Sequence, residues 1–334
     1  MTDPMSVVDQ ALPGLPAALD ADVMSEKLRP LMGSGSHNES VTWRVIGVEL
    51  VKHKPGRRCA LAYTMDGSGQ RRRLFAKTYR NDRGAGIYEK LTRFSLPGAG
   101  ANGVLVPKPV AYLPEIHMLV TEFVDGRPLS DPLYDGTSDA PARRIATTIA
   151  ALHGCGVRCE RKWNPREELK STERWVADVP GATVRAARLL DRCRSEFEGL
   201  PHHLEFPVHR DFYPEQLMDS DGATVLLDLD DACSGDPAVD LGNFVAHLKL
   251  RHLQFPDRTP GCERARRVFL EEYGRRNPAG IEPKSLPQRI RFYEAASLLR
   301  LSGVYGRRER WADTLPSRLL DACDAVLSKS KVTL

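Results

Sequence analysis

The feature that most constrains this chain is a stretch of short apolar runs and closely spaced acids at residues 206–240. Asp211 is followed five residues later by Gln216, and Asp228 ends the next apolar run. In the rest of the chain after residue 126, apolar residues recur at helical spacing, so in that part of the chain we predict short strands only inside this stretch. Carboxylate and amide oxygens are suited to holding a hard metal ion and a reacting hydroxyl. We therefore expect the chemistry of this protein to lie here.

The sequence ahead of this stretch, residues 41–126, predicts a small antiparallel sheet with one inserted helix. Apolar and β-branched runs bounded by turn-forming residues indicate strands, and a longer run between them indicates the helix. The predicted strands are 43–52, 59–65, 73–79, 110–113 and 118–123, and the predicted helix is 86–94.

Most of the chain after residue 126 predicts helices. Apolar stripes at helical spacing place them at 140–153, 182–197, 241–253, 262–273, 286–305 and 315–327. Residues 1–40 have a mixed composition and predict an N-terminal extension with one short helix at 22–31. The sequence thus predicts an α+β protein in three parts: the extension 1–40, the sheet part 41–126 and the helical part 127–334.

Composition argues against several classes of protein. Lys and Arg number 48 against 44 Asp and Glu, and a net charge of +4 without a basic stripe does not indicate a nucleic-acid partner. No apolar run approaches the roughly 20 residues of a membrane helix, and no secretory signal opens the chain. The seven cysteines are irregularly spaced, which favours free thiols in a reducing compartment. We expect a cytoplasmic protein with no nucleic-acid or membrane partner, and its oligomeric state stays open.

Three blocks of the acid-rich stretch follow one another in a specific order. They are His209-Arg210-Asp211-x-x-x-x-Gln216, Leu227-Asp228-Leu229 and Gly235-Asp236-Pro237-x-x-Asp240-Leu241. Together they resemble the catalytic core of the aminoglycoside phosphotransferase and choline-kinase-like family. A single His-x-Asp is common, but three blocks with this order and spacing are specific. The resemblance implies a bilobal protein-kinase-like fold, with a small antiparallel β-sheet N-lobe that carries one helix and a larger, mainly helical C-lobe.

The resemblance also implies an activity. A phosphoryl group would pass from ATP, or from GTP as the alternative nucleotide, to a hydroxyl of a small molecule such as a sugar, an amino-alcohol or an aminoglycoside. Asp211 is assigned as the catalytic base or hydroxyl-orienting group, and Asp228 as a ligand of Mg²⁺ together with Gln216. The family usually has Asn at the position of Gln216, and the added methylene leaves an alternative open. In that alternative the protein is a nucleotide-binding pseudokinase with a regulatory or scaffolding role.

Resemblance to kinases also assigns phosphate-binding residues in the sheet part. The run 74–79 resembles the strand whose lysine contacts the α- and β-phosphates, which assigns Lys77. Glu89, on the following helix, is the expected partner of that lysine. No glycine-rich loop is present, and the basic turn at 54–58 either covers the phosphates or is a simple turn.

The adenine-binding residues are assigned by the same resemblance. The run 118–126 resembles the hinge between the lobes of a kinase, where the backbone groups of Glu122 and Val124 would bind adenine. An ordinary edge strand followed by a turn explains this run as well.

The chain beyond Asp228 argues for a small acceptor. Only eleven residues separate Asp228 from Asp240, too few for the long activation loop of a protein kinase. The helix at 286–305, with Asp230 and Asp231, resembles the region where such kinases build a pocket for a small substrate. Acids there would suit a cationic amino-sugar or amino-alcohol, although Asp230 is equally a candidate metal ligand and Asp231 is equally explained as the cap of a turn.

Two residues of the blocks are expected to have structural roles. His209 is expected to be a packed, hydrogen-bonded histidine rather than a reactive one. Asp240 opens a predicted helix, and it is expected either to cap that helix or, as the resemblance implies, to brace the catalytic loop.

Overall fold

The computed structural model describes residues 7–32, 42–96, 104–177, 179, 181–201, 205–276, 278 and 280–328. Contacts between residues divide the chain into two compact units. The sheet unit consists of residues 1–97 and 105–125, and the helical unit consists of residues 98–104 and 126–334. This division differs from the predicted extension at 1–40, because its described residues 7–32 belong to the sheet unit. The rest of that stretch lies outside the described residues.

In its described residues, the sheet unit contains five antiparallel strands and three helices. In chain order they are α1 (Leu15–Leu19), α2 (Ala21–Leu28), β1 (Arg44–Lys54), β2 (Arg58–Gly67), β3 (Gln70–Tyr79), α3 (Arg83–Ser95), β4 (Pro109–Leu113) and β5 (Met118–Glu122). The strand order is β1-β2-β3-β5-β4, so β3 is central. The five predicted strands and the helix between the third and fourth are confirmed, with ends that shift by a few residues.

Tight turns set the register of the first two hairpins. Between β2 and β3, Ser68 and Gly69 have φ angles of 49° and 81°, which is the two-residue turn whose twist matches paired strands. Between β1 and β2, Gly56 has φ 68° and follows a proline. This second turn is closed by a hydrogen bond from Arg57 N to the Lys54 carbonyl at 3.0 Å.

The N-terminal helices complete the core of the sheet unit. Leu15, Met24 and Leu28 belong to one buried apolar cluster with side chains from β1, β2, β3 and β5. The buried hydroxyl of Tyr63 on β2 donates to the Ala18 carbonyl of α1 at 2.6 Å, so the helix is also held by a hydrogen bond. Because burial of apolar area stabilises by roughly 25 cal/mol per Å², this segment is part of the fold rather than an appendage.

In its described residues, the helical unit contains eight helices and six short strands. In chain order they are β6 (Arg127–Pro128), α4 (Ser130–Asp135), α5 (Ala140–Gly154), β7 (Lys162–Trp163), α6 (Pro165–Val176), α7 (Thr183–Glu198), β8 (Phe206–Val208), β9 (Leu217–Ser220), β10 (Ala223–Leu226), β11 (Cys233–Gly235), α8 (Ala238–Gln254), α9 (Cys262–Arg276), α10 (Leu286–Gly306) and α11 (Leu315–Ser328). The six predicted helices are confirmed, whereas α4 and α6 are not among the predicted ones. Among the described helices, none is long and apolar enough to cross a bilayer.

The short strands form two three-stranded sheets. Their orders are β10-β9-β6 and β7-β11-β8. Four of these strands, β8 to β11, lie in the acid-rich stretch, as its short apolar runs predict. The segments that follow β8 and β10, and the segment that begins at the end of β11, carry the three acid-containing blocks, at 209–216, 227–229 and 235–241.

Helix α10 is buried along most of its 21 residues and packs against α6, α8 and α11. Its approach to α8 is close, because a Cβ added at Gly242 would lie 2.5 Å from Tyr293 Cβ and 2.6 Å from Glu294 N. Real Cβ atoms essentially never come so near to another heavy atom. The glycine on α8 therefore sets the distance between the two helices.

We expect Gly242→Ala to destabilise the protein by about 1–3 kcal/mol, since overpacking forces α8 and α10 apart. The matched control is Gly274→Ala on α9, an exposed position where an added Cβ meets nothing within 4 Å. Alanine favours a helix over glycine by about 0.5–1 kcal/mol, so the control should be neutral or stabilising. Urea unfolding of both variants measures the difference, and equal stability would contradict the close approach.

Candidate active site

Two pairs of strands bring the acid-rich blocks together within the helical unit. β8 pairs with β11 so that Val208 lies opposite Cys233, and β9 pairs with β10 so that Leu217 lies opposite Leu226. One step beyond the second pair, Leu227 N donates to the Gln216 carbonyl at 2.8 Å. Gln216 and the residue before Asp228 are therefore neighbours across a hairpin, although eleven positions separate them in sequence.

A buried carboxylate holds the loop that follows β8. Asp240, fully buried on α8, accepts hydrogen bonds from the backbone N–H groups of His209 and Arg210 at 2.7 and 2.6 Å. A third bond joins its Oδ2 to His153 Nε2 at 3.0 Å, and His153 Nδ1 lies 2.7 Å from the Tyr273 hydroxyl. Helix α8 begins at Ala238, so capping by Asp240 is wrong and bracing of the loop is confirmed. Three bonds to one buried carboxylate fix the backbone just before Asp211.

Two residues, one on the braced loop and one on the loop after β10, have an uncommon backbone conformation. Arg210 has φ 70° and Asp228 has φ 54°, the left-handed region that costs most non-glycine residues free energy. His209, which is buried, links the two positions because its Nε2 lies 2.8 Å from the Leu227 carbonyl. The prediction of a packed, hydrogen-bonded His209 is confirmed. Strained backbone that the surrounding structure holds in place is typical of functional sites.

The side chains of the loop alternate between the core and the opposite side. Phe212 is fully buried against Phe244, and its carbonyl accepts a hydrogen bond from Asn243 Nδ2 at 2.9 Å. Its neighbours Asp211 and Tyr213 are only half-buried. Asp211 takes part in no salt bridge within the described part of the chain. Its carboxylate is therefore available to accept a hydrogen bond from a bound hydroxyl.

The predicted metal ligands lie in two short 3-10 turns. Gln216 is buried at the end of the turn Pro214–Gln216, and Asp230 is buried in the turn Leu229–Asp231 that follows Asp228. Carboxylate and amide oxygens fit Mg²⁺, which binds few protein groups and retains several waters. Among the described residues no cluster of three or more His, Cys, Asp or Glu is arranged to hold a metal. A site of Asp228 with the Gln216 amide is compatible with that, since it needs fewer carboxylates.

In the sheet unit, Lys77 lies on the central strand. It is half-buried on β3 between Ala60 of β2 and Leu119 of β5. Glu89 is exposed on α3, about half a turn away from the buried positions Ile87 and Leu91. A carboxylate that braces a lysine of the sheet is expected on the packed face of the helix, so this exposure does not favour the predicted pair, which stays a prediction.

The strand that carries the predicted adenine-binding residues ends one residue earlier than the predicted 118–123. Glu122 is the last residue of β5, and Val124 follows two residues later. The Glu122 backbone N–H donates to the Lys108 carbonyl at 2.9 Å, so this donor is already used within the sheet unit. The assignment of the backbone at Glu122 and Val124 to adenine stays a prediction.

The basic turn between β1 and β2 is fixed by the N-terminal segment. Asp9 Oδ2 accepts a hydrogen bond from Gly56 N at 2.8 Å and lies 2.8 Å from His53 Nε2. The Gly56 N–H bond, followed by the bond to His53, lowers the pKa of the Asp9 carboxyl. The sequence leaves open whether this turn covers phosphates, and the structure adds that Asp9 already occupies the amide of Gly56.

Several residues that support the loop are not predicted from the sequence. The side-chain oxygen Oδ1 of Asn243 accepts from Arg300 at 2.7 Å, and the Glu168 carboxylate accepts from the Trp163 indole at 2.9 Å. Asn243 lies one helical turn after Asp240, and that spacing is a signal that could have indicated it. Arg300, Glu168 and Trp163 are far away in sequence, and no local pattern indicates them.

The chain is similar to known phosphotransferases in sequence and in fold. The family model of the APH phosphotransferase enzyme family matches residues 68–284. No curated protein matches the chain. Similar solved structures are choline kinase LicA from Streptococcus pneumoniae, a choline/ethanolamine kinase family protein from Mesorhizobium loti, and a thermostable mutant of aminoglycoside phosphotransferase APH(4)-Ia in ternary complex with AMP-PNP and hygromycin B.

Their sequence identities are 16%, 14% and 15%, with TM-scores of 0.57, 0.56 and 0.58. The matches cover 92%, 92% and 94% of this chain, and 98%, 96% and 100% of the three structures, respectively. At these identities the likeness shows the fold, which is protein-kinase-like, and the predicted fold class is confirmed. Because the family model covers more than half of the sequence, the chain belongs to the APH phosphotransferase enzyme family.

Proposed function

We propose that this protein is an ATP-dependent phosphotransferase that phosphorylates a hydroxyl of a small molecule. The observation that most supports the proposal is the braced loop, in which buried Asp240 holds the backbone that presents Asp211. Holding the loop in this conformation, with Arg210 at positive φ, costs free energy. A loop with this cost is expected where the position of one carboxylate is important for function. Family membership agrees with this assignment.

The role proposed for Asp211 follows from its surroundings. Its carboxylate is half-exposed and is not part of a salt bridge in the described chain, so it accepts a hydrogen bond from the acceptor hydroxyl. This bond directs an oxygen lone pair towards the γ-phosphorus of ATP. As the new P–O bond forms, the bond from this phosphorus to the leaving oxygen of ADP breaks, and the carboxylate takes the hydroxyl proton. Phosphoryl transfer needs positioning and charge stabilisation rather than covalent help from the protein.

The cofactors proposed are ATP, with GTP as the alternative, and Mg²⁺. Asp228 and Gln216 would hold Mg²⁺, which when bound neutralises charge on the β- and γ-phosphates. Lys77 would contact the phosphates from β3. The similar APH(4)-Ia structure is a ternary complex that contains AMP-PNP, which agrees with an adenine nucleotide.

One observation favours a second candidate function. Gln216 is 6% exposed and stands where the family usually has Asn, so its longer side chain has little room to shift. If the amide oxygen cannot reach the metal, the protein binds nucleotide without turnover, and its role is that of a regulatory or scaffolding pseudokinase.

Thermal melting with ATP or GTP, with and without Mg²⁺, tests the nucleotide site. At about 100 times its dissociation constant, a nucleotide should stabilise the protein by roughly 2.7 kcal/mol and raise its Tm by a few degrees. We expect Asp228→Asn to lose the Mg²⁺-dependent part of the shift. The matched control is Asp221→Asn, another aspartate at positive φ (49°), in the turn after β9.

The outcomes separate the candidates. A Mg²⁺-dependent shift that the Asp228 variant loses and the Asp221 variant keeps supports the proposed site. No shift with either nucleotide in the unaltered protein contradicts both the kinase and the pseudokinase. A shift without turnover of any acceptor favours the pseudokinase.

A further inference from the structure

Arginines lie close to the loop that presents Asp211, within the helical unit. Arg300 on α10 donates to Asn243 Oδ1 at 2.7 Å, and Asn243 Nδ2 donates to the Phe212 carbonyl at 2.9 Å. Two hydrogen bonds therefore join a guanidinium group to the backbone of the residue after Asp211. This path fixes Arg300 relative to the backbone that directly follows Asp211.

An aromatic pair, Tyr213 and His247, lies near Arg300 and a second arginine, Arg308. Tyr213, two residues after Asp211, has an extended backbone and is half-buried, as Asp211 is. Its ring stacks on His247 of α8 with centroids 4.6 Å apart and an angle of 15°. Loss of hydration, then the positive charges of Arg300 and Arg308, lowers the pKa of His247 to about 3. His247 is therefore neutral near pH 7, and the positive charge near the Tyr213–His247 pair comes from the guanidinium groups of Arg300 and Arg308.

Few carboxylates compensate this charge. Arg300 Nε lies 3.8 Å from Glu168, whose other oxygen already accepts from the Trp163 indole. Arg308 is exposed, lies over the ring of Tyr305, and takes part in no salt bridge among the described residues. Arg300 and Arg308 thus carry two positive charges against the one carboxylate of Glu168.

Asp231, one of the two acids that would suit a cationic acceptor, is paired with two arginines. Asp231 lies 3.2 Å from an Arg161 nitrogen and 3.0 Å from an Arg210 nitrogen. One carboxylate shared by two guanidinium groups has no charge left to attract an ammonium group. Asp231 therefore offers little attraction to the cationic acceptor that acids in this region would suit.

We propose that the acceptor is an anion, a small hydroxyl compound that also carries a carboxylate or a phosphate, and that Arg300 and Arg308 bind that group. Guanidinium groups match the planar, two-oxygen edge of such groups and bind them through charge-assisted hydrogen bonds. Choline and amino sugars are cations, which the same groups repel. The inference rests on the proposed phosphotransferase function and specifies its substrate class.

Acceptors that share a skeleton and differ in charge provide the test. ADP formation is measured with Mg-ATP and two sets of three compounds: glucuronate, glucose and glucosamine, then glycerate, glycerol and serinol. We expect the acid of at least one set to give the highest kcat/KM. Arg308→Glu should lower that value about ten-fold or more, because it replaces an attractive charge with a repulsive one. The same variant should raise the relative rate with the amine.

Arg188→Glu is the matched control, because Arg188 is exposed on α7 and takes part in no salt bridge of the described chain. It should leave the acceptor preference unchanged. Arg300 is not used as the main variant, since its loss would also release Asn243 from the loop.

Each outcome decides the inference. Preference for the amines, or an unchanged preference in Arg308→Glu, overturns it. Lack of turnover with all six compounds, while the Mg²⁺-dependent melting shift persists, also counts against an anionic acceptor but leaves the nucleotide site intact. Loss of the melting shift itself would instead contradict the proposed function.

Discussion

Asp211→Asn is expected to lower the rate of phosphoryl transfer by roughly 10²–10⁴, the usual contribution of a positioned general base. Asn has the same shape and its amide oxygen still accepts a hydrogen bond, but it takes up no proton, so the hydroxyl loses its general base while the loop keeps its backbone. Because Asp211 is half-exposed and makes no salt bridge in the described residues, the substitution should not change stability appreciably. The measurement is kcat with the acceptor found in the charge-matched sets, or slow ATP hydrolysis where no acceptor is added.

The nucleotide-dependent melting shift is the control within the same variant. It should persist, because the residues proposed to hold the nucleotide and Mg²⁺ are Lys77, Asp228 and Gln216. A variant that keeps full turnover would show that Asp211 is not the catalytic group. A variant that loses the melting shift together with turnover would indicate a role in nucleotide binding instead.

Arg289→Met is expected to destabilise the protein by about 3–5 kcal/mol, because it leaves the Asp236 carboxylate buried without its cation. Both side chains are at most 2% exposed, and Arg289 donates to Asp236 Oδ1 at 2.8 Å. The same oxygen accepts from the backbone N–H of Ala238 at 3.0 Å, at the start of α8. Loss of the pair therefore disturbs the turn that leads into the helix of Asp240. Urea unfolding measures the free energy difference.

Two further variants define the cause. Arg194→Met removes an exposed arginine that pairs with Asp191 and Glu173, and such surface pairs contribute at most about 1 kcal/mol. Asp236→Asn added to Arg289→Met removes the unpaired charge and should restore part of the stability. If Arg289→Met costs no more than Arg194→Met, the buried pair does not stabilise this turn.

Local signals were sufficient for most of the secondary structure. The turns at Gly56 and Gly69 delimit the strands, and the apolar stripes of the long helices survive because each of those helices has one buried face. Helix α6 was not predicted, because its sequence has no clear apolar stripe. It is rich in charge, yet its start at Asn164 and Pro165 has an N-cap that accepts from two backbone N–H groups. That start signal, rather than periodicity, would have predicted it.

The candidate site divides along the same line. Asp211, Gln216 and Asp228 lie close together in sequence, so a motif indicates them. The groups that brace the loop come from distant helices, as His153 and Arg300 do, and only the fold brings them there. The charge near the proposed acceptor position depends on contacts between arginines and acids that are far apart in sequence. Local sequence patterns therefore do not predict it.

The N-terminal helices have a consequence for how the chain is made. Leu15 and Met24 share a buried cluster with Met118 and Val120 of β5. During synthesis at roughly 5–20 residues per second, these first apolar side chains wait several seconds for the strand that covers them. The unit can close only by joining its beginning to its end, and such long-range closure is slow. A nascent chain of this protein therefore has a period in which binding by a chaperone would protect it from aggregation.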